Sequence, residues 1–393
     1  MGSSSARPTD ATLTTPPVRP PRQEQEPASD QVTEVGPGVL RLQLPIAMPG
    51  LGHVNCYALE DARGVAVVDP GLPGPDSWRA LTARLAQAGI PLARVHTVIV
   101  THSHPDHFGG AGRLRAETGA EVVGHRSFAT WWDPAAPDHA AISDGTAISD
   151  HAAISDGTAI SDATAISNNT DVGVAAEAEP QSPFNRPMPW GGGAYGEGWR
   201  RQSGFSDLSQ LRQYLGTPTP TRRLDDADVV ELAGREWVAV HTPGHTPDHL
   251  CLLDPAGGLL LSGDHVLPTI TPHISGLGTA TDPLAEFFAS LDRMRELAGV
   301  DLVLPAHGHP FTDLAGRAAA IRHHHEERLD LLRSASRELD RPATVMELST
   351  HLFSPRAQGP MADSETYAHL EHLRLAGEAE VRSVDGMLEY VIG

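Results

Sequence analysis

The chain has 393 residues, 40% of them hydrophobic, enough to bury a large core in one big domain or two unequal ones. Its formal net charge is −21 and all 29 basic residues are arginine, which opposes non-specific attraction to nucleic acid or an anionic membrane. No apolar run is long enough to cross a bilayer, and no apolar secretory core is found near Met1, so a cytoplasmic protein is expected.

Residues 1–33 are rich in Pro, Ser, Thr, Gln and Glu and read as a disordered tail. Short strands are predicted at 38–43, 53–59 and 64–69. A helix over about 75–89 follows, with Leu81, Leu85 and Ile90 at roughly helical spacing. A buried strand at 95–100 leads into a His-rich loop, and Gly109-Gly110 then open a helix containing Leu114. Residues 139–150 read HAAISDGTAISD, and 151–162 repeat them unchanged. Two polar copies are too few for a solenoid and lack the glycine–aspartate spacing of calcium-binding repeats. A low-complexity insertion is therefore expected at about 134–189.

Order is expected to resume near Trp190. Strands are predicted at 228–231, 235–241, 249–254, 258–263 and 301–305, with a helix at 283–297. Strands feeding short polar loops suggest paired sheets with helices outside. A long helix at 313–338 opens a C-terminal region with short helices around Leu348 and Tyr367. Strands at 379–383 and 387–392 follow, joined by Asp385-Gly386. Helix, helix, hairpin is a winged-helix-like order. Cys56 and Cys251 lie in apolar stretches and read as reduced core residues.

The most informative run is Thr101-His102-Ser103-His104-Pro105-Asp106-His107. In an extended segment His102 and His104 point the same way and can reach one ion. Pro105 disfavours a helical conformation at His104. Asp106 and His107, past the turn, can face a second site. Three later loops each place a ligand-type residue after a strand beside Gly or Pro: Pro243-Gly244-His245, Gly263-Asp264 and Pro305-Ala306-His307-Gly308. Ligands on several strand ends can converge at one sheet edge.

His-x-His-x-Asp-His, then Thr-Pro-Gly-His-Thr, Ser-Gly-Asp and Pro-x-His-Gly resemble the metallo-β-lactamase fold superfamily, and Asp69-Pro70-Gly71 matches its early Asp-x-Gly element. His324-His325-Glu326-Glu327-Arg328 resembles the His-Arg-x-x-Arg segment of a glyoxalase II-like subgroup with a C-terminal winged-helix-like domain. The resemblance implies an α/β fold, the αββα sandwich, over 34–312, with a winged-helix-like domain at 313–393. It implies that His102, His104 and His245 hold one metal, that Asp106, His107 and His307 hold a second, and that Asp264 bridges them. The donors are nitrogen and oxygen, which favours two zinc ions, with iron or manganese as alternatives. His104 stands where flavodiiron relatives carry Glu, which argues against oxygen reduction.

The expected activity is a hydrolase of the glyoxalase II or acyl-thioesterase type, attacking a thioester or ester with a metal-bridging hydroxide that Asp264 holds and Asp106 orients. The alternatives are an endoribonuclease, phosphodiesterase or lactonase of the same fold, or a mononuclear iron persulfide dioxygenase. Residues 312–393 carry 9 Arg against 14 Asp and Glu, a net −5, which disfavours nucleic acid and leaves a packing or homodimerisation role for the tail. Asp69 and His249 are expected to support ligands by hydrogen bonding, and His265 and His309 to be structural. His273 and Tyr195 are candidate substrate contacts, with Trp190 and Trp199 near them. His323, His324 and His325 cannot converge on one ion, because consecutive helix positions point 100° apart.

Overall fold

The computed structural model describes residues 22–48, 50–130, 187–193 and 219–393. The dodecamer repeat, Tyr195 and Trp199 lie outside those residues.

Alternation builds the first sheet. Its strands are β1 (Thr33–Gly36), β2 (Val39–Met48), β3 (Leu51–Asp61), β4 (Gly64–Val68), β5 (Val95–Ile99), β6 (Glu121–His125) and β7 (Arg222–Leu224), in that spatial order. Pairing is antiparallel through β4 and parallel from β4 to β7. Along β3, Tyr57 and Leu59 enter one apolar cluster while Cys56 and Ala58 enter another, so both faces of the sheet are covered. The second sheet runs β12 (Leu302–Pro305), β11 (Leu259–Gly263), β10 (Leu250–Asp254), β9 (Arg235–His241), β8 (Val229–Leu232).

Between the sheets, Tyr57, Val68 and Ile99 meet Trp237, Leu252 and Leu261. Helices α1 (Pro75–Gln87) and α3 (Ala111–Thr118) cover the first sheet with Leu81, Leu85 and Leu114. Between them in sequence lies the single turn α2 (Pro105–Phe108). Helices α4 (Pro283–Glu296) and α5 (Leu314–Leu339) cover the second sheet with Phe287, Leu291 and Ile321. The four layers are the helix–sheet–sheet–helix sandwich expected from the motifs. Cys56 and Cys251 are both buried and unbridged.

The C-terminal region comprises β13 (Ala343–Thr344), α6 (Val345–Leu352), α7 (Pro360–Leu375), β14 (Ala379–Val384) and β15 (Met387–Ile392), its strands ordered β13-β15-β14. Thr344 and Glu347 form a reciprocal capping box on α6. Asp385 and Gly386 both take positive φ, as a two-residue hairpin turn matching strand twist requires. This region has no core of its own. One apolar cluster runs from Phe287 and Ile321 through Leu348, Leu370 and Leu373 to Ile392, and it takes in Trp190.

The disordered tail expected to reach residue 33 is corrected for residues 22–33. Glu24 is fully buried, and its carboxylate accepts the backbone N–H groups of Thr269 (2.8 Å) and Ile270 (3.1 Å). Those partners lie far along the chain, so the polar composition of the tail gives no sign of them. Strands β1, β6 and β7 are also absent from the sequence reading. Each is short and is held by pairing to a neighbour rather than by a pattern of its own.

Candidate metal centre

Four chain segments leave the C-terminal ends of β5, β9, β11 and β12 at one edge of the sandwich. β11 and β12 are adjacent and parallel, with Gly263 opposite Pro305, so the loops carrying Asp264 and His307 emerge side by side. β4 and β5 are likewise parallel neighbours, which sets Asp69 beside Thr101. His104 is extended (φ −82°, ψ 143°) ahead of Pro105, and it brings its Nδ1 to 3.0 Å from His102 Nε2. The α2 turn then carries Asp106 and His107 inward. In the loop of His245, Gly244 has φ +128°, and a Cβ there would sit 2.4 Å from the Phe287 backbone. Only glycine lets this loop lie against α4.

Two groups of donors result: His102, His104, His245 and Asp264, and Asp106, His107 and His307. One Asp264 oxygen lies 3.5 Å from both His107 Nε2 and His245 Nε2 and 3.9 Å from His102 Nε2. Its other oxygen lies 3.3 Å from His307 Nε2. Asp106 is 3.4 Å from His107 Nε2 and 3.5 Å from His307 Nε2. Donors on a tetrahedral ion with bonds of about 2.0–2.1 Å stand about 3.3 Å apart, so these spacings suit shared cations. His107 Nε2, His245 Nε2, His307 Nε2 and Asp264 Oδ1 are buried without a hydrogen-bond partner. Unpaired polar atoms aimed at a common centre are unfavourable unless something charged sits between them.

The opposite ring nitrogens fix the tautomers. His245 Nδ1 donates to the His273 carbonyl and His307 Nδ1 to the His53 carbonyl, each at 2.7 Å. His107 Nδ1 donates to Asp69 at 2.9 Å. Asp69 also accepts the Thr101 N–H and hydroxyl, and Thr101 Oγ in turn accepts His102 Nδ1–H at 3.0 Å. Carbonyls and carboxylates only accept, so each Nδ1 carries the proton and each Nε2 keeps a lone pair for a ligand. His249 uses both nitrogens, one accepting the Asp264 N–H at 3.0 Å and one meeting Thr242 Oγ at 2.7 Å. Neither is left for a metal.

Electrostatics point the same way. Burial holds His102 well below its usual range and, with His245 nearby, lowers His104 to about 3, so both rings are neutral. Burial would also lower His107 and His307, but Asp106 and Asp264 outweigh it; His107 is raised and His307 reaches about 10. Two buried carboxylates thus demand positive charge, which divalent cations supply in place of protons.

A family model described as the metallo-beta-lactamase superfamily matches residues 49–331. The chain belongs to the metallo-beta-lactamase superfamily. It is a metal-dependent hydrolase of that superfamily, and its His and Asp groups imply divalent metal ions. Over 343 residues it is 24% identical to a probable metallo-hydrolase, YqjP, of Bacillus subtilis, spanning 85% of this chain and 91% of that relative. Two partial matches are a hydroxyacylglutathione hydrolase of Albidiferax ferrireducens (43% over 79 residues, 20% of this chain and 28% of the relative) and the atrochrysone carboxyl ACP thioesterase nsrC of Aspergillus novofumigatus (32% over 140 residues, 34% and 40%). A metallo-beta-lactamase family protein from Thermus thermophilus superposes with a TM-score of 0.65 at 27% identity, covering 91% of this chain and 99% of that one.

The remaining candidates disperse. His309 pairs with Glu26 at 2.8 Å, and the ring of His265 lies against Phe287. His323 is exposed beside Glu327, while His325 turns inward to His369 at 3.1 Å. With Glu365 these two form a third group of potential donors, but both Glu365 oxygens are engaged, by Arg328 and by His273. Sequence reasoning missed Thr101, His53 and Asn55. Asn55 donates to the carbonyls of Pro305 (2.8 Å) and Gly308 (2.9 Å) and so shapes the loop of His307. The available signal was polar residues at alternate positions, 53 and 55, of an otherwise apolar strand.

Proposed function

We propose that the protein is a dinuclear zinc hydrolase that cleaves a thioester or ester of a small molecule. The observation that carries this reading is the reach of Asp264, which addresses both donor groups at once. We assign His102, His104 and His245 to one ion, Asp106, His107 and His307 to the other, and Asp264 to both. Nitrogen and oxygen donors without a thiolate favour zinc. When bound, two such ions lower the pKa of a shared water enough to give hydroxide near neutrality.

The chain's own residues then hold and aim. Asp106 offers an acceptor toward the space between the groups and orients the nucleophile. Asp69 and Thr101 lock the rings of His107 and His102, and His249 fixes the backbone of Asp264. We place His273, partly exposed and next to His245 through its carbonyl, on the substrate-pocket wall. The assigned machinery includes no dedicated proton donor for a leaving group. A thiolate leaves without one and an amine does not, which favours thioesters and activated esters over amides. The partial relatives named as an acylglutathione hydrolase and an ACP thioesterase fit that class. We take residues 34–312 as the catalytic domain and read 313–393 as a winged-helix-like module whose net −5 disfavours nucleic acid. Two buried free thiols accord with a cytoplasmic location.

The test is metal analysis of the purified protein followed by a panel of acyl thioesters, lactones, phosphodiesters and RNA, with Asp264→Ala as control. Two equivalents of zinc and thioester turnover abolished by Asp264→Ala are expected. Metal-loaded protein that turns over RNA or phosphodiesters and no acyl thioester or ester overturns the substrate class. Metal-free protein with full activity overturns the centre itself.

A further inference from the structure

We propose that Glu365, a residue of the C-terminal region, is a positioning residue for the first metal group, acting through His273 on the ring of His245. The inference rests on the assignment of His245 as a metal ligand.

His273 faces two ways. Its carbonyl accepts His245 Nδ1–H at 2.7 Å, the bond that leaves Nε2 directed at the donor cluster. Its ring presents Nδ1 to Glu365 at 3.3 Å. One residue thus joins α7 to a ligand far earlier in the chain, and the ring contact restrains the residue whose carbonyl holds His245. Glu365 is itself fixed: it is buried, and the Arg328 guanidinium from α5 takes its other oxygen. Arg328 in turn stacks over Phe353. A carboxylate held by an arginine, holding a histidine whose backbone holds a ligand, is an extended version of the outer support that metal-binding histidines require.

The rest of the loop is braced from the same side. Arg317 of α5 donates to the carbonyls of Leu267 (2.5 Å) and Ile270 (2.6 Å). Ser364, next to Glu365, meets Ser275 Oγ at 3.1 Å and Gly276 N–H at 3.3 Å. Pro272 fixes φ just ahead of His273. The bracing contacts end one or more residues short of His273, so at the residue that touches His245 the side-chain anchor is Glu365. If packing of the buried Ile274 alone positioned the carbonyl, removing the ring contact would change nothing at the metal centre.

The full-length protein, stripped of metal, is titrated with zinc against a chromophoric chelator, and with cobalt(II) to read the ligand field of each site. Two variants are compared. His273→Ala removes the ring while keeping the carbonyl and the Glu365–Arg328 pair. Glu365→Gln keeps an amide oxygen for the His273 N–H but weakens the anchor. His273→Ala is expected to weaken one of two zinc sites about tenfold, within the range for outer partners of ligands, and to alter the cobalt spectrum of that site alone. Glu365→Gln should do the same to a smaller degree. The double variant should be no weaker than His273→Ala, because both act on one route. Two sites that both stay within twofold of wild type in His273→Ala overturn the proposal. So does equal weakening of both sites, which would mark general loosening of the fold. Wild-type protein that takes up no zinc overturns the metal assignment instead, a separate outcome.

Discussion

Asp69→Asn tests the centre at its most heavily used support. Asp69 sits at φ +52°, a conformation that asparagine tolerates about as well, so the exchange leaves the backbone in place. The carboxylate accepts three hydrogen bonds: the Thr101 N–H at 2.8 Å, the Thr101 hydroxyl at 2.7 Å and His107 Nδ1–H at 2.9 Å. An amide has one oxygen. If that oxygen faces His107, the amide NH2 confronts the Thr101 N–H. If it faces Thr101 N–H, the NH2 confronts His107 Nδ1–H, and relief comes only by moving the ring proton to Nε2, which removes the lone pair aimed at the cluster. Either way a buried donor is orphaned or a ligand lost. The first outcome costs about 1–3 kcal/mol, and loss of such a support weakens metal binding about 10- to 100-fold. Zinc affinity and thermal unfolding of the metal-free protein separate the two. Asp69→Asn protein with two zinc affinities within twofold of wild type and an unchanged Tm would refute the reasoning.

Further predictions concern regions outside the centre. Glu24→Ala removes the buried carboxylate that accepts the Thr269 and Ile270 N–H groups, and losing these charge-assisted bonds should destabilise the fold by about 2 kcal/mol. Glu24→Gln should be far milder, since the amide oxygen serves both N–H groups and the Thr269 hydroxyl can turn to accept. Equal damage from both in chemical denaturation would show that charge, not hydrogen bonding, is what matters there. In the C-terminal region burial lowers His369 to about 4 from its usual 6.5, against the pull of Glu365. The unfolded chain therefore binds a proton between pH 6.5 and 4 that the folded chain refuses. Stability due to this group is fully present above pH 6.5 and is lost progressively as pH falls toward 4, by about 3 kcal/mol. His369→Gln should flatten the pH dependence of unfolding free energy across that window, and parallel curves for variant and wild type would disprove it.

The sequence alone determined the sandwich and the donor types. Short, continuous apolar runs specified strands because a strand covered on both faces is apolar along its length, and the loops after them announced themselves through His, Asp, Gly and Pro. His102 and His104 could be paired from spacing alone, since an extended chain returns to the same face every second residue. Only tertiary structure decided which donors share a space. Asp264 reaches His307 because parallel β11 and β12 deliver their loops together, and it reaches His107 because the two sheets pack face to face, facts of strand order and layering and not of local sequence. The same holds for the supports. Glu24, His53 and Glu365 look like ordinary polar residues along the chain, and each acquires its role from a partner more than ninety positions away. Backbone periodicity is local and can be read in one dimension. A buried hydrogen bond between distant segments is formed only when the packed layers bring its donor and acceptor together.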